Sequence, residues 1–135
     1  MTFRPDMKLL VVDDMSTMRK IIKNMLGQLG FKNISEADSG KKALEIVESA
    51  HKLGSPFEFI LSDWNMPELN GLDFLKALKA SEAHKNIAFL MITAEAEQGN
   101  VITAVKCGVD NYVVKPFSPQ ILKEKIEKIF AKRGL

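Results

Sequence analysis

The chain has 135 residues, of which 46% are hydrophobic and 27% charged, and its formal net charge is +2. This balance is typical of one globular domain, and it excludes intrinsic disorder, which needs low hydrophobicity and high net charge. The basic excess is too small to indicate nucleic-acid binding. The single cysteine, Cys107, excludes an internal disulfide, and no apolar run is long enough for a signal peptide or a membrane span. We therefore expect a cytoplasmic protein with no membrane or nucleic-acid partner.

Short apolar runs recur along the chain and predict β-strands. Four of these runs lack polar alternation, which is typical of strands that are buried on both faces of a parallel sheet. They are residues 9–12, 59–61, 89–92 and 112–114. Residues 33–37 alternate between apolar and polar side chains and predict a strand at an edge of the sheet.

Between these runs, apolar residues recur at intervals of three and four, which predicts five amphipathic helices. The five stripes contain, in chain order, Met18, Ile21, Ile22, Met25, Leu26 and Leu29; Ala43, Leu44, Val47 and Ala50; Leu72, Leu75 and Leu78; Val101, Ala104 and Val105; and Ile121, Leu122, Ile126, Ile129 and Phe130. Serines before three stripes predict N-caps, and glycines after three stripes predict C-terminal stops. The caps are Ser16, Ser39 and Ser118, the last followed by Pro119, and the stops are Gly30, Gly54 and Gly108.

The alternation of strand and helix predicts an α/β fold with right-handed βαβ units. We expect one doubly wound, five-stranded parallel sheet with five helices on both faces. Ligand sites in such sheets lie beyond the carboxyl ends of the strands, where the strand order reverses. Polar residues at these ends are therefore candidates for a functional site. They are Asp13 and Asp14 at the first strand, Ser62 and Asp63 at the third, Thr93, Ala94 and Glu95 at the fourth, and Lys115 with Pro116 and Phe117 at the fifth.

The carboxylates among these residues need a counter-charge. Two carboxylates about 4 Å apart repel each other by roughly 4 kcal/mol at an effective dielectric constant near 20. Lys115 supplies one positive charge, and a hard cation with oxygen ligands, most simply Mg²⁺, would supply the remainder. Carboxylates, a cation, a lysine and a hydroxyl together favour phosphoryl transfer, in which a carboxylate can itself be the nucleophile.

Four motifs at separate strand ends resemble those of two-component receiver domains, in particular the single-domain chemotaxis response regulators. The motifs are Asp13-Asp14, Asp63-Trp64-Asn65-Met66-Pro67 followed by Gly71, Thr93-Ala94-Glu95 and Lys115-Pro116-Phe117. The resemblance extends from about Lys8 to the end of the chain. It implies a flavodoxin-like strand order of 2-1-3-4-5, one receiver domain over residues 1–135, and a short N-terminal extension over residues 1–7.

For the chemistry, the resemblance implies that Asp63 accepts a phosphoryl group from a phosphohistidine on a sensor histidine kinase of the chemotaxis type. It also implies the ligands of the metal ion. Mg²⁺ would be bound by the side chains of Asp14 and Asp63 and by the backbone carbonyl of Asn65. Asp13 would bind the ion through water.

For the switch, the resemblance implies that Thr93 and Lys115 contact the phosphoryl oxygens. The peptide between Lys115 and Pro116 would be cis, which fixes the direction of the lysine. Tyr112 would change rotamer as Thr93 moves, and Ala94 would leave room for it.

For the output, the resemblance implies a regulatory domain rather than an enzyme, acting as a monomer with no attached output domain. Its partner would be a flagellar motor switch protein, through which it would control swimming direction. The contact surface would be the fourth helix, fifth strand and fifth helix around Tyr112. A dedicated phosphatase is a further class of partner.

Two other functions compete with the switch. A phosphatase of the haloacid-dehalogenase type also uses a strand-end aspartate with Mg²⁺ and a lysine, but it needs an acidic residue two positions after the nucleophile. That position holds Asn65, which cannot transfer a proton. A nucleotide- or flavin-binding domain is disfavoured because no glycine-rich phosphate-binding loop follows the first strand.

Simpler structural interpretations also remain for individual residues. Asp13 and Asp14 also suit a helix N-terminus. Thr93 also suits the interior of a strand and Tyr112 an edge strand, and Lys115 also suits the protein surface. We expect His51 and His84 to be solvated surface residues.

Overall fold

The computed structural model describes residues 4–94 and 98–134, without the side chains of residues 98–100. Strands and helices alternate along it. The elements are β1 (Lys8–Val12), α1 (Ser16–Gln28), β2 (Asn33–Ala37), α2 (Gly40–Lys52), β3 (Phe59–Asp63), α3 (Gly71–Lys79), β4 (Ala88–Thr93), α4 (Gln98–Lys106), β5 (Asn111–Val114) and α5 (Pro119–Arg133). Among the described helices, none is both long and apolar enough to cross a membrane.

The five strands form one parallel sheet in the order β2-β1-β3-β4-β5. This confirms the predicted fold class and strand order. The order reverses between β1 and β3, where Val12 pairs with Ser62. Asp13 and Asp63 follow this pair on neighbouring strands, so the reversal point carries two of the candidate carboxylates.

Two apolar layers cover the sheet, and neighbouring strand residues point into opposite layers. On β1, Leu9 and Val11 pack with α1 and α5, whereas Leu10 and Val12 pack with α2, α3 and α4. All four are fully buried. Burial on both faces explains why these strands appear in the sequence as uninterrupted apolar runs.

Two of the three predicted N-caps are confirmed. Ser39 accepts a hydrogen bond from the N–H of Lys42, and Ser118 accepts one from the N–H of Ile121. The third is wrong, because Ser16 is already the first residue of α1 and Met15 holds the cap position without a side-chain cap bond. Only three residues separate β1 from α1, so the helix begins one residue earlier than predicted.

Three members of the predicted apolar stripes are exposed. Ile21 and Ile121 are each 41% exposed, and Val105 is 59% exposed. Each lies beside buried stripe members on its helix, at the flank of the arc that faces the sheet. The stripes therefore predicted the buried faces but overestimated their width.

His84 is buried, at 3% exposure, so its assignment to the solvated surface is wrong. Its Nε2 lies 3.1 Å from Oε1 of Glu48, and its ring makes an edge contact with His51. His51 is exposed, as expected. The turn after α3 folds back on α2 and carries His84 inward, although its sequence neighbours are polar and gave no sign of burial.

The described part of the N-terminal extension is tied to the domain. Met7 is 2% exposed, Arg4 forms a 2.7 Å ion pair with Glu58, and the Pro5 carbonyl accepts a hydrogen bond from the N–H of Lys32. Residues 4–7 therefore cover the amino ends of the strands, opposite the candidate site.

Gly71 begins α3 in close contact with the end of β3. Its N–H donates to the Trp64 carbonyl at 2.8 Å. A Cβ at this position would collide with the backbone oxygen of Asp63 and would lie 3.0 Å from Met91 Sδ. The absence of a side chain at Gly71 therefore keeps the Asp63 backbone in place.

We expect Gly71→Ala to lower the free energy of unfolding by about 1–3 kcal/mol, the usual cost of overpacking. Gly27→Ala is the matched control, since Gly27 lies in α1 and a Cβ there has no neighbour within 4 Å. That change should be neutral or stabilising by up to about 1 kcal/mol. Urea unfolding of both variants measures the difference, and equal stabilities would contradict the steric argument.

Candidate functional site

Three carboxylates and one ammonium group meet at the carboxyl edge of the sheet. One carboxylate oxygen from each of Asp13, Asp14 and Asp63 lies within 4.8 Å of the others. The Lys115 Nζ lies 3.2 Å from Asp13 Oδ2 and 3.2 Å from Asp63 Oδ1. The structure therefore brings these four predicted residues together.

Asp13 is fully buried and is held by all four of its polar groups. Its N–H donates to the Ala37 carbonyl on β2, and its own carbonyl accepts from Arg19 Nη1 at 2.7 Å. Its Oδ1 accepts from the N–H of Met15 at 2.9 Å, while Oδ2 faces Lys115. This carboxylate is therefore a rigid part of the site.

Asp63 is the last residue of β3 and is 5% exposed. Burial is the main cause that raises the pKa of its carboxyl group, and the neighbouring Asp13 carboxylate raises the pKa further. The Lys115 ammonium opposes both effects. Ionised Asp63 is thus incompletely compensated, and an additional cation at this position would stabilise it.

The donor set fits a hard divalent cation. It consists of carboxylate oxygens, which suit Mg²⁺, and it contains no sulfur or imidazole that would favour a softer metal. Asn65 is exposed and lines an open cleft together with Asp14 and Asn70. Asn65 therefore lies in the same cleft as Asp14, and the role of its backbone carbonyl as a metal ligand stays a prediction.

Thr93 ends β4 and is 7% exposed. Its backbone carbonyl accepts a 2.8 Å hydrogen bond from the N–H of Lys115, which connects the ends of β4 and β5. Ala94 is exposed, and Glu95 lies outside the described residues. The Lys115–Pro116 peptide is cis, as the resemblance implies.

Tyr112 lies on β5, where it pairs with Met91. It is partly buried against the apolar layer under α2, α3 and α4, and the Lys125 Nζ lies 5.0 Å from its ring centroid. This position suits both a packing residue and a residue that changes rotamer, so the geometry leaves both interpretations open.

Sequence reasoning missed the two residues that brace Asp13. Arg19 joins the Asp13 carbonyl to Glu36 on β2, and neither residue belongs to a recognisable motif. The sequence predicted residues 33–37 only as an edge strand and did not indicate what lies beside it. The contact between Glu36 and Arg19 on α1 depends on the position of β2 next to β1.

Comparison with known proteins agrees with the fold and with the site. The response regulator receiver domain matches residues 9–127. The chemotaxis protein CheY of Pseudomonas aeruginosa is 53% identical over 124 residues, which are 92% of this chain and 96% of that protein. CheY1 of Helicobacter pylori is 50% identical over 91% of this chain and 96% of that protein.

A solved structure gives the same result. The chemotaxis response regulator CheY4 of Vibrio cholerae superposes with a TM-score of 0.81 at 29% identity, over 92% of this chain and 98% of that one. The receiver-domain match over residues 9–127 includes every strand end that carries a candidate residue. With its acidic cluster at the reversal of strand order, the chain belongs to the response regulator receiver domain family and is similar to chemotaxis members of the CheY type.

Proposed function

We propose that this protein is a phosphorylation-operated switch of bacterial chemotaxis, with Asp63 as the phosphoacceptor. One observation carries the proposal: the Lys115 ammonium lies between two buried carboxylates, 3.2 Å from each, at the open end of the sheet. A lysine in this position can neutralise both the nucleophile and the group that it receives. The similarity to CheY proteins supports the same function.

In the proposed reaction, a carboxylate oxygen of Asp63 attacks the phosphorus of a phosphohistidine on a sensor histidine kinase. The bond between phosphorus and the imidazole nitrogen breaks, its electron pair stays on the nitrogen, and Asp63 becomes an acyl phosphate. Lys115 and the Thr93 hydroxyl contact the phosphoryl oxygens. Thr93 ends β4, the strand next to that of Asp63, and the Lys115 Nζ, which follows β5, already lies 3.2 Å from Asp63 Oδ1.

The proposed metal ligands are the side chains of Asp14 and Asp63, the backbone carbonyl of Asn65, and Asp13 through water. When bound, Mg²⁺ supplies positive charge that offsets the charge of the transferring phosphoryl group. Asp13 suits an indirect role because Met15 and Lys115 already occupy its two carboxylate oxygens. Asp14 is exposed, which suits direct contact with a hydrated ion.

A switch must retain its phosphoryl group, whereas a phosphatase releases it repeatedly. Asn65, two residues after Asp63, has no ionisable proton that it could transfer as a general acid, which favours the switch. With acetyl phosphate and Mg²⁺, we expect accumulation of chains that carry one phosphoryl group, as measured by intact-protein mass spectrometry. Release of many phosphate equivalents per chain without accumulation of a phosphorylated chain would favour the phosphatase.

The proposed output surface consists of α4, β5 and α5 around Tyr112. Exposed apolar side chains flank β5 on both sides, namely Ile102 and Val105 on α4 and Ile121 on α5. We propose that one receiver domain over residues 1–135, acting as a cytoplasmic monomer, binds a flagellar motor switch protein here. A dedicated phosphatase would use the same phosphorylated site.

The proposed coupling runs from the phosphoryl group through Thr93 and Lys115 to Tyr112, with Ala94 leaving room for the ring. A hydrogen bond to a charged group contributes about 1.5–3 kcal/mol, and a complete reversal of a two-state equilibrium needs about 5.5 kcal/mol. Two such contacts, less the cost of rearrangement, give a graded change. We therefore expect partner binding to strengthen with phosphorylation without being absent before it.

We expect beryllofluoride with Mg²⁺ to tighten binding of the motor switch protein, and Tyr112→Ala to reduce that gain while Asp63 is still labelled. Isothermal calorimetry on both proteins, with and without beryllofluoride, measures the gain. Lys41→Ala is a control, because Lys41 is exposed and lies on α2, outside the proposed output surface. An undiminished gain in Tyr112→Ala would remove Tyr112 from the switch.

A further inference from the structure

The guanidinium group of Arg19 connects two strands through two short hydrogen bonds. Its Nε donates to Glu36 Oε1 on β2 at 2.7 Å, and its Nη1 donates to the backbone carbonyl of Asp13 at 2.7 Å. The side chain is only 16% exposed although it carries a charge. A planar, forked donor suits this double contact, which a lysine cannot reproduce with the same geometry.

The carbonyl that Arg19 holds belongs to the peptide unit between Asp13 and Asp14. The other polar groups of Asp13 are bound to Ala37, Met15 and Lys115, so they fix Asp13 itself. The orientation of the following peptide plane decides where the Asp14 side chain points. Because Arg19 fixes that plane from the carbonyl side, it acts on Asp14 without touching its carboxylate.

Glu36 keeps Arg19 in this position and balances its charge. The Glu36 carboxylate accepts from Arg19 Nε and from Lys23 Nζ, each at 2.7 Å. These two bonds lower the pKa of Glu36, Lys23 contributing most, so the carboxylate is ionised at neutral pH. A guanidinium near a cation site would otherwise repel the cation, and the paired carboxylate reduces that repulsion.

We propose that Arg19 is a positioning residue for the divalent cation site: through the Asp13 carbonyl it sets the direction of Asp14. The inference rests on the proposed function, because it assumes that Asp14 binds the cation. The proposal extends the cation site beyond the acidic cluster to Arg19 on α1 and its partner Glu36 on β2. A role of Arg19 through geometry and a role through charge predict opposite changes in Mg²⁺ affinity when Arg19 is replaced, so the proposal can be tested.

If Arg19 acted only through its charge, its removal would strengthen Mg²⁺ binding, since one positive charge would leave the neighbourhood. If it orients Asp14, its removal should weaken Mg²⁺ binding. Loss of one well-formed hydrogen bond corresponds to a change of about five- to tenfold in affinity. Arg19→Lys separates the two explanations further, because it keeps the charge and loses the fork.

The test is a Mg²⁺ titration followed by the fluorescence of Trp64, which adjoins Asp63, with thermal melting recorded in parallel. We expect Arg19→Met to weaken Mg²⁺ binding about five- to tenfold and Arg19→Lys to weaken it at least about threefold. Lys23→Met is the matched control, because Lys23 contacts the same Glu36 but not Asp13. Its affinity should stay within about twofold of the original.

A second readout does not need the metal. In the metal-free protein, Arg19→Met should shift the NMR resonances of the Asp13 carbonyl carbon and the Asp14 amide nitrogen, which belong to the same peptide unit. Lys23→Met should leave both near their original positions. Resonances that do not move in Arg19→Met would overturn the positioning role.

Unchanged or tighter Mg²⁺ binding in both Arg19 variants would also overturn the inference, as would a lower melting temperature with unchanged affinity. These results would leave the proposed function intact, provided that the unsubstituted protein binds Mg²⁺ and Asp14→Asn does not. If the unsubstituted protein and Asp14→Asn respond to Mg²⁺ alike, the cation site itself is wrong, and the role of Arg19 is wrong with it.

Discussion

Asp63→Asn should abolish covalent labelling by acetyl phosphate and leave a folded protein. The amide has nearly the shape of the carboxylate but no nucleophilic oxygen, so no acyl phosphate can form. Asp63 lies in a strand that is buried along its length, and the substitution preserves the volume there. Mass spectrometry after incubation with acetyl phosphate and Mg²⁺ measures the loss, which should be complete.

The same variant should be more stable than the original protein when the metal is removed with EDTA. The pKa of Asp63 is raised in the folded state, first by burial, so the ionised form is less favourable there than in the unfolded chain. Stability from this group is therefore present below its ordinary pKa and decreases as the pH rises through the folded value. The advantage of asparagine should be largest near neutral pH and should vanish in acid.

Thermal melts of both proteins in EDTA, near neutral pH and near pH 4, measure this difference. Asp38→Asn is the control, because Asp38 follows the neighbouring strand β2 but is exposed. It should be labelled normally and show little change in stability. Labelling that persists in Asp63→Asn, or that maps to His51, would remove the central claim, and an advantage that grows in acid would contradict the electrostatic argument.

The sequence predicted well those features that depend on the type of a single residue or on the periodic pattern of apolar residues along one element. Strands buried on both faces must be apolar at successive positions, so residues 59–61 and 89–92 were recognisable without a structure. Parallel strands place their carboxyl ends at one edge, which was enough to predict that Asp13, Asp63 and Lys115 meet. The resemblance added the roles of these residues, and those roles remain proposals.

The features that the sequence did not predict depend on how distant segments pack. His84 is buried because the turn after α3 folds against Glu48 on α2, and no local pattern encodes that contact. Arg19 braces Asp13 only because β2 lies next to β1, which places Glu36 within its reach. Such contacts become visible only when the strand order and register are known.

The second large effect concerns Lys115. In metal-free protein we expect Lys115→Met to lower the free energy of unfolding by about 2–3 kcal/mol. The side chain is 17% exposed and faces the carboxylates of Asp13 and Asp63, whose side chains, taken without the backbone, are 0% and 7% exposed. Removal of one partner of a buried charge pair leaves uncompensated charge and typically costs about 3–5 kcal/mol. We expect the lower value here because the pKa of Asp63 is raised, so its carboxylate can take up a proton and part of the uncompensated charge disappears.

Mg²⁺ should restore much of the lost stability, since a cation bound by the same carboxylates replaces the missing charge. The double variant Lys115→Met/Asp63→Asn should also recover, because one of the two repelling carboxylates is gone. Urea unfolding with EDTA and with Mg²⁺ measures each of these changes.

Lys85→Met is the matched control for a lysine ion pair in solvent. Lys85 pairs with Glu82 at 2.8 Å, but the two side chains are 43% and 91% exposed, and the change should stay within about 0.5 kcal/mol. A similar small change in Lys115→Met would mean that Asp13 and Asp63 do not depend on the lysine for compensation. A large loss of unfolding free energy that Mg²⁺ fails to reduce would instead mean that the lysine stabilises the fold by packing. The cation and the ammonium group would then not compensate the same negative charge.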